Sequence, residues 1–258
     1  MKSPIIFDGH ALAAQKEQTL SQTVQKIPLQ DRPHVAAILF AEDEGSVMYS
    51  NLKKEAAERV GITYTLHEAH IGESTEQIIE KIRRCNQDDG ITGIIIQKPR
   101  RSIWQKAAQV EGGDPKAIKV AFNTWWELLT NSIDPAKDVD GLHPATFQAI
   151  KRGTWQEEGR VLPATAKAVV AVLFEAAREM GWIKHEKKQK NLGSALQNKH
   201  VAIVGKSDLL GKPLHALLQS FAENYDITVS LYGRPSLNEP ALKENFYMRQ
   251  MSLCLQLA

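Results

Sequence analysis

Between residues 34 and 97, short apolar runs alternate with amphipathic stretches, and this alternation most limits what the chain can fold into. His34–Phe40 (HVAAILF) is a β-like run bounded by Pro33 and an acidic turn. Ser50–Val60 carries Leu52, Ala56 and Val60 among charges, a helical spacing. Gly61 follows as a helix-stopping glycine. Ile62–His67 reads as a second strand. Ser74 with Gln77 forms a capping-box signature ahead of IIEKIRRC, the next helix. Ile91–Gln97 (ITGIIIQ) is apolar on both faces and reads as a buried strand. Strands joined through helices in this order run parallel, with helices on the faces of the sheet.

Beyond Gln97 the pattern weakens as far as Asp134, where Trp125 and Trp126 suggest a helix or lid packed on something. The turn-rich PAKDVDGLHP comes next. Pro163–Met180 reads as a long helix with Ala-rich apolar spacing. KHVAIVGKSDLLGKPLHALLQSF then reads as strand, glycine loop and helix, and Ile227–Gly233 as the strand that follows. A domain boundary is expected between Leu142 and Val161.

The bulk properties exclude several function classes. The chain is 43% hydrophobic and 24% charged with a net charge of +2, which gives no clustered basic face of the kind nucleic acid requires. No apolar run reaches membrane-spanning length, and the N-terminus turns polar too soon for a secretory signal. Cys85 and Cys254 lie far apart, and the histidines show no metal-ligand spacing. No metal site and a reducing, cytoplasmic setting are the expectations. The basic run Lys184–Lys190 is either a solvated loop or helix end, or an anion site.

Gly205 and Gly211 sit between a strand and a helix start, with Pro213 in the first helical turn. A phosphate approaching backbone N–H groups at such a turn needs residues without bulky side chains. The spacing is not GxGxxG, and a P-loop would need glycine where His200 stands. Lys206 and Arg234, one after each of two successive strands, either meet a ribose phosphate, which would favour NADP over NAD, or are exposed loop charges.

Tyr49 and Lys53 are four residues apart, on one helix face. Gln97 ends a strand at the carboxyl edge, where ligands sit in open α/β sheets. Asp138 and Asp140 lie in a turn. Each is unremarkable alone, but their order is distinctive. Ser46-x-x-Tyr49-x-x-x-Lys53, GIIIQ-x-P, KDVDG, P-x-T and VG-x-S-x-x-x-G-x-P together resemble the motif series of the bifunctional methylenetetrahydrofolate dehydrogenase/cyclohydrolase family, from about Ile5 to Val229.

The resemblance implies an α/β fold with an N-terminal folate-binding catalytic domain (1–150) and a Rossmann-like NAD(P)-binding domain (151–258). It implies a homodimer that oxidises methylene-tetrahydrofolate with NADP and then hydrolyses the methenyl product. Lys53 would move protons in the hydrolysis, Gln97 would hydrogen-bond it, and Tyr49 would pack near the pterin. Asp140 would bind the pterin's N–H groups, with Ser46 and Pro99 lining the same cleft. Gly205, Lys206, Ser207, Gly211, Pro213 and Arg234 would face the cofactor. A lysine serves such a step only if it can shed its proton near neutral pH.

The chain departs from the family pattern in several places. Lys98-Pro99-Arg100-Arg101 replaces Leu-Pro-Leu-Pro, so an apolar cleft wall becomes cationic. The stretch from Gln97 to Asp140 is longer by about a helix, read as an inserted lid containing Trp125 and Trp126. Ala164 and Ala166 replace the Cys and second Pro of a Pro-Cys-Thr-Pro turn. Lys206 replaces an arginine and so loses a two-pronged phosphate grip, and Tyr232-Gly233-Arg234 replaces Cys-His-Ser. The tail from Glu244 shows no clear strand alternation. One permitted back-translation of it, read two bases on, yields a family-like strand, which points to a truncated or frameshifted domain after about Lys243. Two further readings stay open: a cyclohydrolase-only or inactive folate-binding remnant, and another Rossmann oxidoreductase.

Overall fold

The computed structural model describes residues 8–110, 113–182 and 192–233, and the backbone of 252–256. The chain divides into two compact units, His10–Pro144 and a second beginning at Ala145.

The first unit runs α1 (Gly9–Gln25), β1 (His34–Phe40), α2 (Glu44–Val60), β2 (Thr63–Ala69), α3 (Thr75–Gln87), β3 (Gly93–Ile96), α4 (Arg101–Ala107) and α5 (Pro115–Asn131). The sheet is parallel with order β2-β1-β3, so the most apolar strand is central. Register sets Tyr64, Val35 and Gly93 in one row and Leu66, Ala37 and Ile95 in the next. These residues share one sheet face, because side chains alternate along a strand. Ala36, Ile38, Phe40, Ile94 and Ile96 share the other, which packs on Ile78, Ile82 and Cys85 of α3 and on α5.

Local chemistry fixes the helix ends. The Asp43 carboxylate accepts from Gly45 N at the start of α2, and Gly61 closes the helix with φ of 84°. The Ser74/Gln77 capping box is present at α3.

The segment after Gln97 is not a lid. Trp125 and Trp126 are buried in the same core as the sheet. The Trp125 ring lies 5.2 Å from Phe40, 5.9 Å from Trp104 and 5.9 Å from Phe122. The apolar positions of α5 recur at Ile118, Phe122, Trp125 and Leu129, a helical core stripe that covers the sheet.

The second unit runs α6 (Pro144–Arg152), α7 (Ala164–Glu179), α8 (Leu192–Ala195), β4 (His200–Val204), α9 (Gly211–Ser220), α10 (Ala222–Tyr225), β5 (Thr228–Tyr232) and β6 (Ser252–Gln256). Its sheet is parallel with order β5-β4-β6. Ala166 and Leu173 of α7 and Leu214 and Leu218 of α9 pack on Val201 and Ile203. The tail supplies one strand, β6, where the sequence shows no clear alternation. β6 pairs with the whole length of β4 and satisfies backbone groups that an open edge would leave unpaired. The basic run Lys184–Lys190 and the region of the inferred frameshift, 244–251, lie outside the described residues.

Candidate active site

Three side chains from three elements meet at the carboxyl edge of the first sheet. Lys53 projects from α2, Gln97 follows β3, and Asp140 lies in the acidic turn. Lys53 Nζ donates to Gln97 Oε1 at 3.2 Å and lies 3.6 Å from Asp140 Oδ2. The lysine and aspartate side chains are 34% and 21% exposed, so the amine is open to a ligand on one side. An ion pair this exposed contributes at most about 1 kcal/mol to stability. Its consequence is to fix where the amine sits.

The acidic turn is held by the sheet itself. Ile94 N donates to Lys137 O at 2.7 Å, and Ile94 bridges Asp138 in parallel, so KDVDG runs beside β3. Val139 lies against Gly93, where an added Cβ would fall 2.7 Å from Val139 Cγ1. Only glycine lets the turn come this close. Lys137 Nζ donates to the carbonyls of Cys85, Asn86 and Asp88 at the end of α3, at 3.2, 2.7 and 2.8 Å. The buried Asp138 carboxylate accepts from Leu142 N and His143 N. The turn thus divides its labour: Lys137 and Asp138 build it, and Asp140 faces Lys53.

Tyr49 lies one turn before Lys53 on α2 and is 57% exposed. Ser46 is buried on the same helix, and its Oγ has no partner among the described residues. Pro99 is buried just past Gln97. The cationic wall is largely turned away from an open role. Lys98 Nζ sits 5.3 Å from the Phe122 ring and 5.0 Å from the Trp126 ring, a cation–π arrangement. Arg100 donates to Asp43 through its backbone N at 2.7 Å and through Nε and Nη2 at 3.1 and 2.9 Å. Burial alone would raise the Asp43 carboxyl, but the Arg100 and Gly45 hydrogen bonds outweigh it and hold the group below the usual carboxylate range.

In the second unit, the loop after β4 places Gly205 (φ 127°) against Gly211, where an added Cβ would lie 1.8 Å from Gly205 O. The glycine at 211 is thus required by the loop's own backbone. Ser207 Oγ accepts from Gly211 N at 3.2 Å, and Pro213 is buried in the first turn of α9. Lys206 and Ser207 are exposed. Arg234 lies outside the described residues.

A model of the tetrahydrofolate dehydrogenase/cyclohydrolase catalytic domain matches residues 7–114. The bifunctional protein FolD of Helicobacter pylori (strain J99) is 30% identical over 252 residues, covering 90% of this chain and 73% of that protein. The chain belongs to the tetrahydrofolate dehydrogenase/cyclohydrolase family. FolD of Halalkalibacterium halodurans is 32% identical over 219 residues, or 84% of this chain; the chain spans 63% of that relative's length. Among solved structures, the bifunctional FolD of Campylobacter jejuni superposes with a TM-score of 0.68 at 24% identity, over 97% of this chain and 72% of that one. The Trypanosoma brucei enzyme, described as complexed with NADP cofactor and inhibitor, gives 0.69 at 22% identity, over 100% and 73%. These structural likenesses bear on the fold alone.

Three contributors within this family member escaped the sequence reading. Asp43 is signalled only by its place two residues before Gly45, as a helix cap. The Lys137 clamp has no local signal, because its acceptors lie about fifty residues away. Tyr64 is the third: its hydroxyl is buried without a hydrogen-bond partner among the described residues. Burial pushes this phenol up to about 12, and the charge of Asp140 adds to the push.

Proposed function

We propose that the chain oxidises methylene-tetrahydrofolate to methenyl-tetrahydrofolate with NADP and then hydrolyses that product to formyl-tetrahydrofolate. The observation that carries this reading is the Lys53 amine held between the Gln97 amide and the Asp140 carboxylate. In the hydrolysis, water adds to the cationic methenyl carbon, loses a proton, and one carbon–nitrogen bond breaks to leave the formyl group. Lys53 is the group placed to carry that proton, and Gln97 orients it through Nζ–H···Oε1. Asp140 presents an acceptor to the pterin's N–H edge. Tyr49, exposed one turn away, offers a ring face to the pterin, and Ser46 and Pro99 form the floor and wall beside it.

The nucleotide fits the second unit's loop. The Gly205–Gly211 approach makes a tight strand-to-helix turn at the start of α9, and Lys206 and Ser207 are exposed on it, the setting in which a helix N-terminus meets a phosphate. With Pro213, and with Arg234 by sequence position, these residues would hold NADP, which when bound accepts the hydride. A homodimer in the cytoplasm completes the proposal; among the described residues no helix is long and apolar enough to cross a membrane. A cyclohydrolase without hydride transfer is the second reading, favoured by Lys206 standing where the family pattern has an arginine, which loses the two-pronged phosphate grip.

Absorbance assays separate these readings: methenyl-tetrahydrofolate hydrolysis, and NADP or NAD reduction with methylene-tetrahydrofolate. Lys53→Met is expected to lower hydrolysis by about 10²–10⁴-fold, the range of general acid–base catalysis, with folate binding retained. Undiminished hydrolysis removes Lys53 from the mechanism. Hydrolysis without reduction of either nucleotide selects the second reading.

A further inference from the structure

Asp43, 1% exposed, gathers four hydrogen bonds on one carboxylate. Its Oδ1 accepts from Gly45 N and from Nε and Nη2 of Arg100, and its Oδ2 accepts from Arg100 N. The Gly45 bond starts α2, the helix that carries Lys53. The Arg100 bonds hold the loop that carries Gln97, three residues earlier in the chain. Side chains lean toward the N-terminus of their helix. The Lys53 amine therefore reaches back toward the Asp43 end of α2, and it meets Gln97 Oε1 at 3.2 Å. Helix and loop are thus joined twice, once at the Asp43 carboxylate and once at the Lys53 amine.

Arg100 stands where the family pattern has leucine, and Arg101 where it has proline. A proline restricts the residue before it to extended backbone. Arg100 has that conformation, with φ −65° and ψ 135°, although no proline follows it. Arg101 is the first residue of α4. With arginine there, the steric bar to winding the helix one residue earlier is gone, and other contacts must keep Arg100 out of it. The bonds to Asp43 do so, because they fix the backbone N and the guanidinium of Arg100 on the same carboxylate.

We propose that Arg100 is a positioning residue for the hydrolysis: its bonds to Asp43 do the work of the missing proline and keep the Gln97 amide where Lys53 needs it. This deepens the folate reading and rests on it. Lys53 carries the proton, and Arg100 acts on that step through the loop and Gln97. Asp140, which meets the pterin's N–H edge, sits on a turn with its own anchors at Lys137 and Asp138. Substrate binding therefore does not depend on the Arg100 loop.

Arg100→Met, Arg101→Pro and the double variant are compared with wild type in methenyl-tetrahydrofolate hydrolysis, with thermal melting in parallel. A misplacement of about 1 Å costs about 10²-fold in rate; Arg100→Met keeps the backbone bond to Asp43, so kcat should fall about tenfold while KM stays within about twofold. Proline is favoured at the first position of a helix, where its missing N–H has no helical partner. Arg101→Pro alone should therefore keep the wild-type kcat and melt no lower. In the double variant the proline should restore most of the kcat that Arg100→Met loses. An ion pair with only a structural role would lower melting in Arg100→Met and leave kcat alone. Unchanged kcat in Arg100→Met, or no recovery in a folded double variant, overturns the role of Arg100 and leaves the folate reading standing. If the double variant does not fold, Arg100→Lys takes its place: it keeps the charge without the fork and should recover part of kcat, and no recovery overturns the role equally. A wild type that neither hydrolyses nor binds the substrate overturns both.

Discussion

Replacing Lys137 by methionine tests whether the acidic turn is held from the far end of α3. The ammonium makes three bonds of 3.2, 2.7 and 2.8 Å to carbonyls that the helix and its exit loop leave open. Hydrogen bonds to a charged group contribute about 1.5–3 kcal/mol each, but one half-buried ammonium does not deliver that three times over, because water replaces part of what is lost. The favourable position of a cation at a helix C-terminus adds about 0.3–1 kcal/mol, and freeing the lysine from its fixed rotamer returns up to about 2 kcal/mol. The net loss works out at about 2 kcal/mol. With a urea dependence of about 2 kcal/mol per molar for a unit of this size, the midpoint should fall by about 1 M. The assay is urea titration followed by tryptophan fluorescence, since Trp104, Trp125 and Trp126 are all buried in this unit. Because Asp140 rides on the same turn, KM for the folate should rise alongside. A midpoint within about 0.2 M of wild type would refute the reasoning, whatever happened to activity.

Gly93→Ala should lose about 1–3 kcal/mol, the usual cost of overpacking, and weaken hydrolysis, because the new methyl meets Val139 at 2.7 Å. Adding Val139→Ala should recover much of both, and a double mutant no better than Gly93→Ala would defeat the account. Burial, and then the neighbouring charge of His34, lower the His67 imidazole from its ordinary 6.5. The unfolded imidazole accepts a proton that the folded one resists, so this stabilisation is complete above about 6.5 and drains away as pH falls through the lower folded value. Urea midpoints at pH 7.5 and 5.5 should therefore fall less for His67→Gln than for wild type, and equal falls would exclude His67 as the source.

Much of the first unit was legible from local chemistry. The apolar run at His34–Phe40 became the central strand, and the Ser74 capping box and Gly61 stop lie at real helix ends. Around Trp125 the helix packed on something is α5, and only the lid was misread, because the sheet its apolar stripe covers is distant in sequence. Strand β6 in the tail left no clear alternation in the sequence. A five-residue strand with little alternation becomes a strand through the partner it pairs with, here β4. In the candidate site, the order of motifs singled out Lys53, Gln97 and Asp140. The residues that hold the turn and loops around them, Lys137, Asp43 and Arg100, act across forty residues or more and leave no periodic trace. Tyr64 reads in sequence as one more strand aromatic.

The bond between Asp43 and Arg100 ties the loop leaving β1 to the loop leaving β3, so two neighbouring lips of the crevice are stapled together on one side. A vestibule fastened in this way keeps its outline when a guest arrives. Ligand association should then follow simple one-step kinetics, with an observed rate that climbs linearly with concentration and shows no plateau from a slow opening motion.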